Sequence, residues 1–156
     1  MDHYQNVVIE YLRADRALFV NTECCIQLNE GKNPDTSGPH WYCDALAVSF
    51  RDSTIFLCEI SYSATLDSLL KRLQAWRDHW DRILAALHRD SCLPEAWSAQ
   101  PWAFVPHNRI EVLDRGLKLM EKSGPRRFEV KRTELEDVQP WRYCSWDRIA
   151  NATAET

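Results

Sequence analysis

The chain has 156 residues, of which 45% are hydrophobic and 27% are charged, and its formal net charge is −4. This length suits one domain with a hydrophobic core of its own. The acidic balance excludes a surface that is basic all round, which non-specific binding to DNA phosphates would require. Any contact with nucleic acid therefore has to come from a local basic patch.

The sequence carries no signal for a membrane or for secretion. No stretch approaches the roughly 18 consecutive apolar residues that a membrane span requires. Residues 1–16 are charged and amphipathic, unlike a secretory signal peptide. The six cysteines form no Cys-x-x-Cys pair, and we expect them to be reduced and mostly buried. We therefore expect a cytoplasmic protein without membrane contact.

The first half of the chain predicts a helix followed by three strands. Apolar residues at helical spacing predict the helix over residues 3–15. Residues 17–29 are predicted as the first strand, and the turn formers that follow them as a loop. Two more strands are predicted over residues 41–50 and 54–61, joined by a tight turn at residues 51–53.

The second half predicts longer helices and shorter strands. Leucine, isoleucine and tryptophan recur at helical spacing over residues 64–89 and predict one continuous helix. A short strand over residues 101–106 and a helix over residues 108–122 follow. Residues 126–138 are predicted as a strand followed by polar chain.

Together these elements predict an α/β fold. We expect a single layered domain over residues 1–150, in which helices flank a central mixed sheet. Residues 151–156 are predicted to be a flexible tail. The sequence has no internal repeat, no low-complexity tract and no linker that would divide it.

Two acidic residues interrupt apolar strands in the middle of the chain. Asp44 lies in WYCDALAVSF and Glu59 lies in TIFLCEIS, on the two strands joined by the tight turn. A buried carboxylate is costly unless it is paired or bound to a metal. The hairpin brings the strand ends together, so both carboxylates can point to one spot. With the backbone carbonyl of Ile60 they form an oxygen-rich site suited to Mg²⁺ or Mn²⁺, which can activate a water against a phosphodiester.

The order of helix, three strands and helix, with an acid in the second strand and another near the end of the third, resembles the core of the PD-(D/E)xK nuclease superfamily. This is the restriction-endonuclease-like fold, and the resemblance covers residues 3–106. It implies a metal-dependent nuclease in which Asp44 and Glu59 hold Mg²⁺ or Mn²⁺. It also implies an acid from the first helix, matched by Glu10, and a glutamine on the helix after the strands, matched by Gln74.

The chain departs from the family pattern two residues after the second acid. The pattern expects a lysine there, which supports developing charge on the substrate, whereas this chain has Ser61. Some members recruit a basic residue from the next helix, and Lys71 and Arg77 are the candidates here. Arg77 is predicted to lie within the apolar face of that helix, where it needs an anionic partner such as Asp44, Glu59 or a phosphate.

Three interpretations remain open from the sequence. The first is a nuclease in which Arg77 or Lys71 replaces the missing lysine. The second is a catalytically inactive domain of the same fold, which works as an interaction module or as a subunit of a larger assembly, with a protein partner or as a homo-oligomer. Ser61, the acidic charge and the seven tryptophans favour this interpretation. The third is an unrelated α/β domain in which both acids are merely structural, and Asp44 caps a strand or pairs with Arg77.

Other motifs are less specific. Basic residues accompany the tryptophans near the C-terminus: Arg126, Arg127, Lys131 and Arg132. They offer charge and stacking to nucleic acid, although a solvated strand face has the same pattern. His40 and Cys43 supply only half of a zinc-binding spacing. The chain has no G-x-S-x-G turn, and its four glycines form no phosphate-binding loop.

Overall fold

The computed structural model describes residues 2–28, 38–122 and 128–144. The helices of these ranges are α1 (His3–Arg13), α2 (Asp67–Asp78), α3 (Trp80–Ser91) and α4 (Ile110–Lys122). The strands are β1 (Leu18–Gln27), β2 (His40–Ser49), β3 (Thr54–Ile60), β4 (Ser98–Val105) and β5 (Lys131–Glu134). Short 3-10 turns follow at His107–Arg109, Leu135–Val138 and Pro140–Arg142. Most of the predicted loop after β1 and all of the predicted tail at residues 151–156 lie outside the described residues.

The five strands form one mixed sheet in the order β1-β2-β3-β4-β5. β1, β2 and β3 pair antiparallel, and β3, β4 and β5 pair parallel. A parallel pair needs a long connection between its strands. Helices α2 and α3 provide this connection between β3 and β4, and α4 lies between β4 and β5. The predicted α/β fold with a central mixed sheet is therefore confirmed.

The sheet separates two hydrophobic cores. Consecutive residues of β3 alternate between them, because successive side chains of a strand point to opposite faces. Ile55 and Leu57 pack into the core that α2, α3 and α4 cover. Phe56 and Cys58 pack into the second core, which α1 covers. The central strand is thus buried on both faces, which explains why its sequence is a continuous apolar run.

The prediction of one continuous helix over residues 64–89 is wrong, because the chain leaves helical geometry at His79. This residue has φ −113° and ψ 20°, and α2 ends before it while α3 begins after it. Its ring Nδ1 lies 2.9 Å from the carbonyl oxygen of Ala75. A side chain that bonds to its own helix backbone offers the chain an alternative to continuing the helix. The buried residues of α2 and α3 nevertheless pack into the same hydrophobic core.

Within the described residues, no helix is both long enough and apolar enough to cross a lipid bilayer.

Two leucines provide a test of the described packing. Leu57 in the central strand is 0% exposed, whereas Leu119 on α4 is 63% exposed. We expect Leu57→Ala to lower the free energy of unfolding by about 2–5 kcal/mol, because it leaves a cavity between well-packed elements. Leu119→Ala should change it by no more than about 0.5 kcal/mol. Urea denaturation followed by tryptophan fluorescence measures both values, and equal effects would contradict the described sheet.

Candidate active site

Asp44 and Glu59 lie opposite each other at the end of the β2–β3 hairpin. The antiparallel register pairs Ala45 with Cys58, so Asp44 and Glu59 are the next opposing residues. Side chains of opposing residues in an antiparallel pair are neighbours. The negative charge of Asp44 acts on the carboxyl group of Glu59 and disfavours its ionisation. The structure therefore brings together the two acids that the sequence singled out.

The carboxylate of Asp44 is held by donors from two elements. Its Oδ2 accepts the backbone N–H of Ile60 at 2.9 Å, so the side chain takes a hydrogen bond at the point where strand pairing ends. Its Oδ1 accepts a hydrogen bond from Nε2 of Gln5 on α1 at 3.0 Å. These two contacts fix both oxygens of a half-buried side chain.

Gln5 also belongs to the cap of α1. Asp2 Oδ1 accepts the backbone N–H of Gln5 at 2.8 Å, and Gln5 Oε1 accepts the backbone N–H of Asp2 at 3.1 Å. This reciprocal arrangement is a capping box, in which two N–H groups of the first turn find partners. Since the amide oxygen of Gln5 is used by the cap, its amide nitrogen is left to donate to Asp44. The first turn of α1 is thereby connected to the acid pair.

Glu59 is far more buried than Asp44, with an exposed fraction of 4%. Its Oε2 accepts a hydrogen bond from Nη1 of Arg72 at 2.7 Å. The same nitrogen lies 3.3 Å from the carbonyl oxygen of Tyr42, to which it also donates. In contrast, the buried Oε1 of Glu59 accepts no hydrogen bond from any donor in the described part of the chain. A proton shared with Asp44, a buried water molecule or a cation would satisfy it.

The pKa of Glu59 is raised from its usual 4.5 to about 8. Burial is the largest cause, and the charge of Asp44 raises the pKa further, while the Arg72 guanidinium opposes both. Two carboxyl groups that share a site cannot both be ionised at low cost. Near neutral pH the pair therefore holds one proton, or requires a cation in place of that proton.

The donor set fits a hard divalent cation. Mg²⁺ and Mn²⁺ prefer oxygen ligands, and the oxygens of Asp44 keep lone pairs beyond the hydrogen bonds they accept. No three His, Cys, Asp or Glu side chains group as a metal site within residues 2–28, 38–122 and 128–144. The predicted set contains only two carboxylates, so backbone oxygens or waters would complete it. Ile60 contacts Asp44 through its N–H, and the role of its carbonyl stays a prediction.

Glu10 does not take the place that the family resemblance implied. Its side chain is 69% exposed and lies 3.6 Å from Arg13, with which it forms an ion pair. Glu10 and Gln5 are five positions apart, which places them about 140° apart around the helix. Because Gln5 is the residue that meets Asp44, Glu10 points to another side of α1.

The basic partner of Glu59 is Arg72, which the sequence did not single out. Arg72 and Arg77 lie on opposite flanks of the buried stripe of α2, about 140° apart. Lys71 is exposed, and Gln74 donates from Nε2 to Asp78 Oδ1 at 2.8 Å within its own helix. One signal favours Arg72: α2 begins shortly after β3 ends, so its first turns lie nearest the acid pair. Arg77 belongs to the last turn of α2.

The basic residues near the C-terminus do not form a free patch where the structure describes them. Lys131 Nζ lies 3.9 Å from the ring centroid of Trp102 and 5.0 Å from that of Phe56, so its charge is placed over aromatic faces. Arg132 forms an ion pair with Asp114. Arg126 and Arg127 lie outside the described residues.

Comparisons of this chain with protein-family models, with curated proteins and with solved structures give no significant match. The function of this chain is therefore inferred from the chemistry of its site.

The raised pKa of Glu59 predicts a pH dependence of stability. Between about pH 4.5 and about 8 the folded protein keeps a proton that this residue loses in the unfolded chain. The folded state binds more protons, so the free energy of unfolding contributed by Glu59 falls as pH rises through this range. We expect Glu59→Gln, which is neutral at every pH, to remove this part of the dependence in urea denaturation.

A matched control separates Glu59 from other titrating groups. Glu10→Gln removes an exposed acid and should leave the pH dependence of the wild type unchanged. A Glu59→Gln protein with the same pH dependence as the wild type would contradict the raised pKa.

The bond between Gln5 and Asp44 predicts an energetic coupling across the fold. In a double-mutant cycle of Gln5→Ala with Asp44→Ala, the loss of the capping box cancels and only the mutual interaction remains. We expect a coupling of about 0.5–3 kcal/mol, because the bond is partly buried and its acceptor is charged. The exposed Gln74–Asp78 pair provides the control, with about 0.2–0.5 kcal/mol for an i,i+4 pair. Equal couplings in the two cycles would show that Gln5 does not hold Asp44.

Proposed function

We propose that this protein is a diverged metal-dependent nuclease of the PD-(D/E)xK type, which holds Mg²⁺ or Mn²⁺ between Asp44 and Glu59. The topology supports this proposal. A helix precedes an antiparallel meander of three strands, and a helical connection leads to a fourth strand parallel to the third. Within this order, the first helix, the three strands and the helix after them are the elements on which the sequence resemblance rests. Asp44 lies within the second strand and Glu59 near the end of the third, which is consistent with the positions that the resemblance implies.

The observation that carries the proposal is the unsatisfied carboxyl pair. Glu59 is almost fully buried, its Oε1 has no donor in the described part of the chain, and it faces a second acid as well as Arg72, whose guanidinium bonds to Oε2 alone. A pair built only to support the fold would be expected to have every buried oxygen hydrogen-bonded. A divalent cation would neutralise both charges and use the oxygen that has no donor.

In this proposal, Arg72 supplies the positive charge that Ser61 lacks. Its guanidinium lies beside Glu59 and is 35% exposed, so part of it reaches solvent. Guanidinium groups bind phosphate oxygens through two parallel hydrogen bonds. Arg72 would therefore bind the phosphodiester and stabilise the charge that develops on it, while Gln5 keeps Asp44 oriented. When bound, the metal supplies an activated water and neutralises charge on the phosphate.

A second candidate is the catalytically inactive interaction module. The contact of 2.7 Å between Arg72 and Glu59 favours it, because Arg72 already provides a cation for this carboxylate. Because Glu59 is only 4% exposed, the ion pair would then be a structural contact that covers the end of β3. In that case the domain would act through its surface and would bind no divalent cation.

Metal binding by calorimetry distinguishes the two candidates. We expect the wild type to bind Mn²⁺ or Mg²⁺ and to release a proton, since the cation replaces the proton of the acid pair. The measured heat will therefore differ between buffers with different ionisation enthalpies. Glu59→Gln and Asp44→Asn should lose both metal binding and the cleavage of mixed DNA and RNA substrates. Arg72→Met should keep metal binding but lose about 10²–10³-fold in cleavage rate.

Asp15→Asn is the matched control for these variants. Asp15 is also buried, with an exposed fraction of 5%, and pairs with Arg51 at 2.7 Å at the other end of the β2–β3 hairpin. The Asp15→Asn protein should bind metal as the wild type does. A wild type that binds no divalent cation at millimolar concentration would reject the nuclease proposal in favour of the interaction module.

A further inference from the structure

Three exposed aromatic side chains stand at the end of the sheet that carries the acid pair. Tyr4 is 38% exposed, Tyr62 is 52% exposed and Trp141 is 79% exposed. The ring centroids of Tyr4 and Tyr62 lie 4.7 Å apart at an angle of 39°. Tyr4 and Trp141 line the same cleft, which has a volume of about 370 Å³. We call these three residues the aromatic rim.

Two residues of the aromatic rim lie close in sequence to residues of the acid site. Tyr4 directly precedes Gln5, whose side chain donates to Asp44. Tyr62 follows Glu59 by three residues, so their Cα atoms are at most roughly 11 Å apart. The Tyr4–Tyr62 contact therefore joins the segment before Gln5 to the segment after β3. Two of the three aromatic residues thus belong to chain segments that also hold the acid pair.

The charges around the cleft are largely paired. Glu136 Oε2 accepts the backbone N–H of His107 at 2.8 Å. Arg142 Nη2 donates to Asp137 Oδ1 at 3.1 Å, while its side chain is 52% exposed. The cleft thus presents aromatic faces and one exposed guanidinium, with no cluster of basic residues among its lining. Affinity for a nucleic acid at this place would have to come mainly from stacking.

Building on the proposed function, we propose that the substrate class of the Asp44–Glu59 site is single-stranded nucleic acid, whose unpaired bases stack on Tyr4, Tyr62 and Trp141. Stacking of a base on an aromatic side chain is worth about 1–3 kcal/mol and tolerates any sequence. A duplex hides its base faces and is bound mainly through its phosphates, which requires more basic surface than a chain of net charge −4 offers.

The size of the rim favours bases over a protein partner. A specific protein interface buries at least about 1,000 Å² in total. The cleft, at about 370 Å³, lies at the lower end of the range for small-ligand sites. Two exposed rings that line such a cleft, with Tyr62 against one of them, match a few stacked bases better than a packed protein surface. If the folded wild type binds no oligonucleotide in the test below, a protein partner is left as the candidate for this face.

Fluorescence anisotropy with labelled oligonucleotides of about 12 nucleotides tests this inference. The probes are single-stranded DNA, single-stranded RNA and the matching DNA duplex, measured in EDTA so that nothing is cleaved. We expect the wild type to bind the single strands at least tenfold more tightly than the duplex. Tyr4→Leu, Tyr62→Leu and Trp141→Leu should each weaken single-strand binding by about 5–150-fold, the equivalent of one lost stack.

Two sets of variants control for folding and for exposed aromatic surface in general. Tyr4→Phe and Tyr62→Phe keep the rings and should keep the affinity. Phe19 and Phe50 form an exposed aromatic pair near the other end of the β2–β3 hairpin, with ring centroids 5.2 Å apart. Phe19→Leu and Phe50→Leu should bind as the wild type does.

The outcomes separate this inference from the proposed function. Equal or tighter binding of the duplex, or the same loss in the Phe19→Leu and Phe50→Leu proteins, would overturn the inference while metal binding by the wild type upheld the nuclease proposal. No binding of any oligonucleotide by a folded wild type would also overturn it. Single-strand binding that is lost only in the leucine variants of the rim would support it.

Discussion

Two carboxyl groups at the end of one hairpin impose the constraint on which the rest of this structure depends. Their burial and their mutual repulsion cost free energy, so the surrounding elements have to supply donors. Three elements do so for the pair: α1 through Gln5, β3 through the N–H of Ile60, and α2 through Arg72. The positions of these donors fix where the first turns of both helices meet the sheet edge. The site is thus a junction between the two hydrophobic cores, because α1 belongs to one and α2 to the other.

The energetics of this junction bear on why it exists. A buried ion pair is a weak source of stability, and apolar residues of similar size often replace one without loss. The neighbours of Glu59 in β3 are apolar, because residues 55–58 precede it as Ile-Phe-Leu-Cys and Ile60 follows it. An acid that only completed the core would therefore be an inefficient choice at this position. The free-energy cost of this acid therefore favours a chemical role for the pair. The buried oxygen of Glu59 that has no donor is the atom on which the proposed metal binding depends.

The sequence predicted the acid pair better than its surroundings. The sequence predicts that Asp44 and Glu59 meet, because the turn of a hairpin fixes the strand register. Residues that are equally distant from the turn then face each other. Arg72 and Gln5 could not be found in this way, since their contacts depend on how helices lie against the sheet. The sequence predicts Arg77 within one continuous helix, whereas the break at His79 places it in the last turn of α2. Glu10 followed from the family pattern alone, whereas the face of α1 that meets Asp44 is set by the packing of Val8 and Leu12.

The capping box of α1 has a consequence for the behaviour of the site in time. Helix ends open and close far more readily than the core, because few contacts hold them. When the first turn of α1 opens, the Asp2–Gln5 bonds are lost, and the amide that orients Asp44 is released with them. The environment of the acid pair therefore follows the fraying of a helix end rather than the unfolding of the sheet. A fusion placed before Asp2 would act on the same turn, so that a tag at the N-terminus is a perturbation of the site.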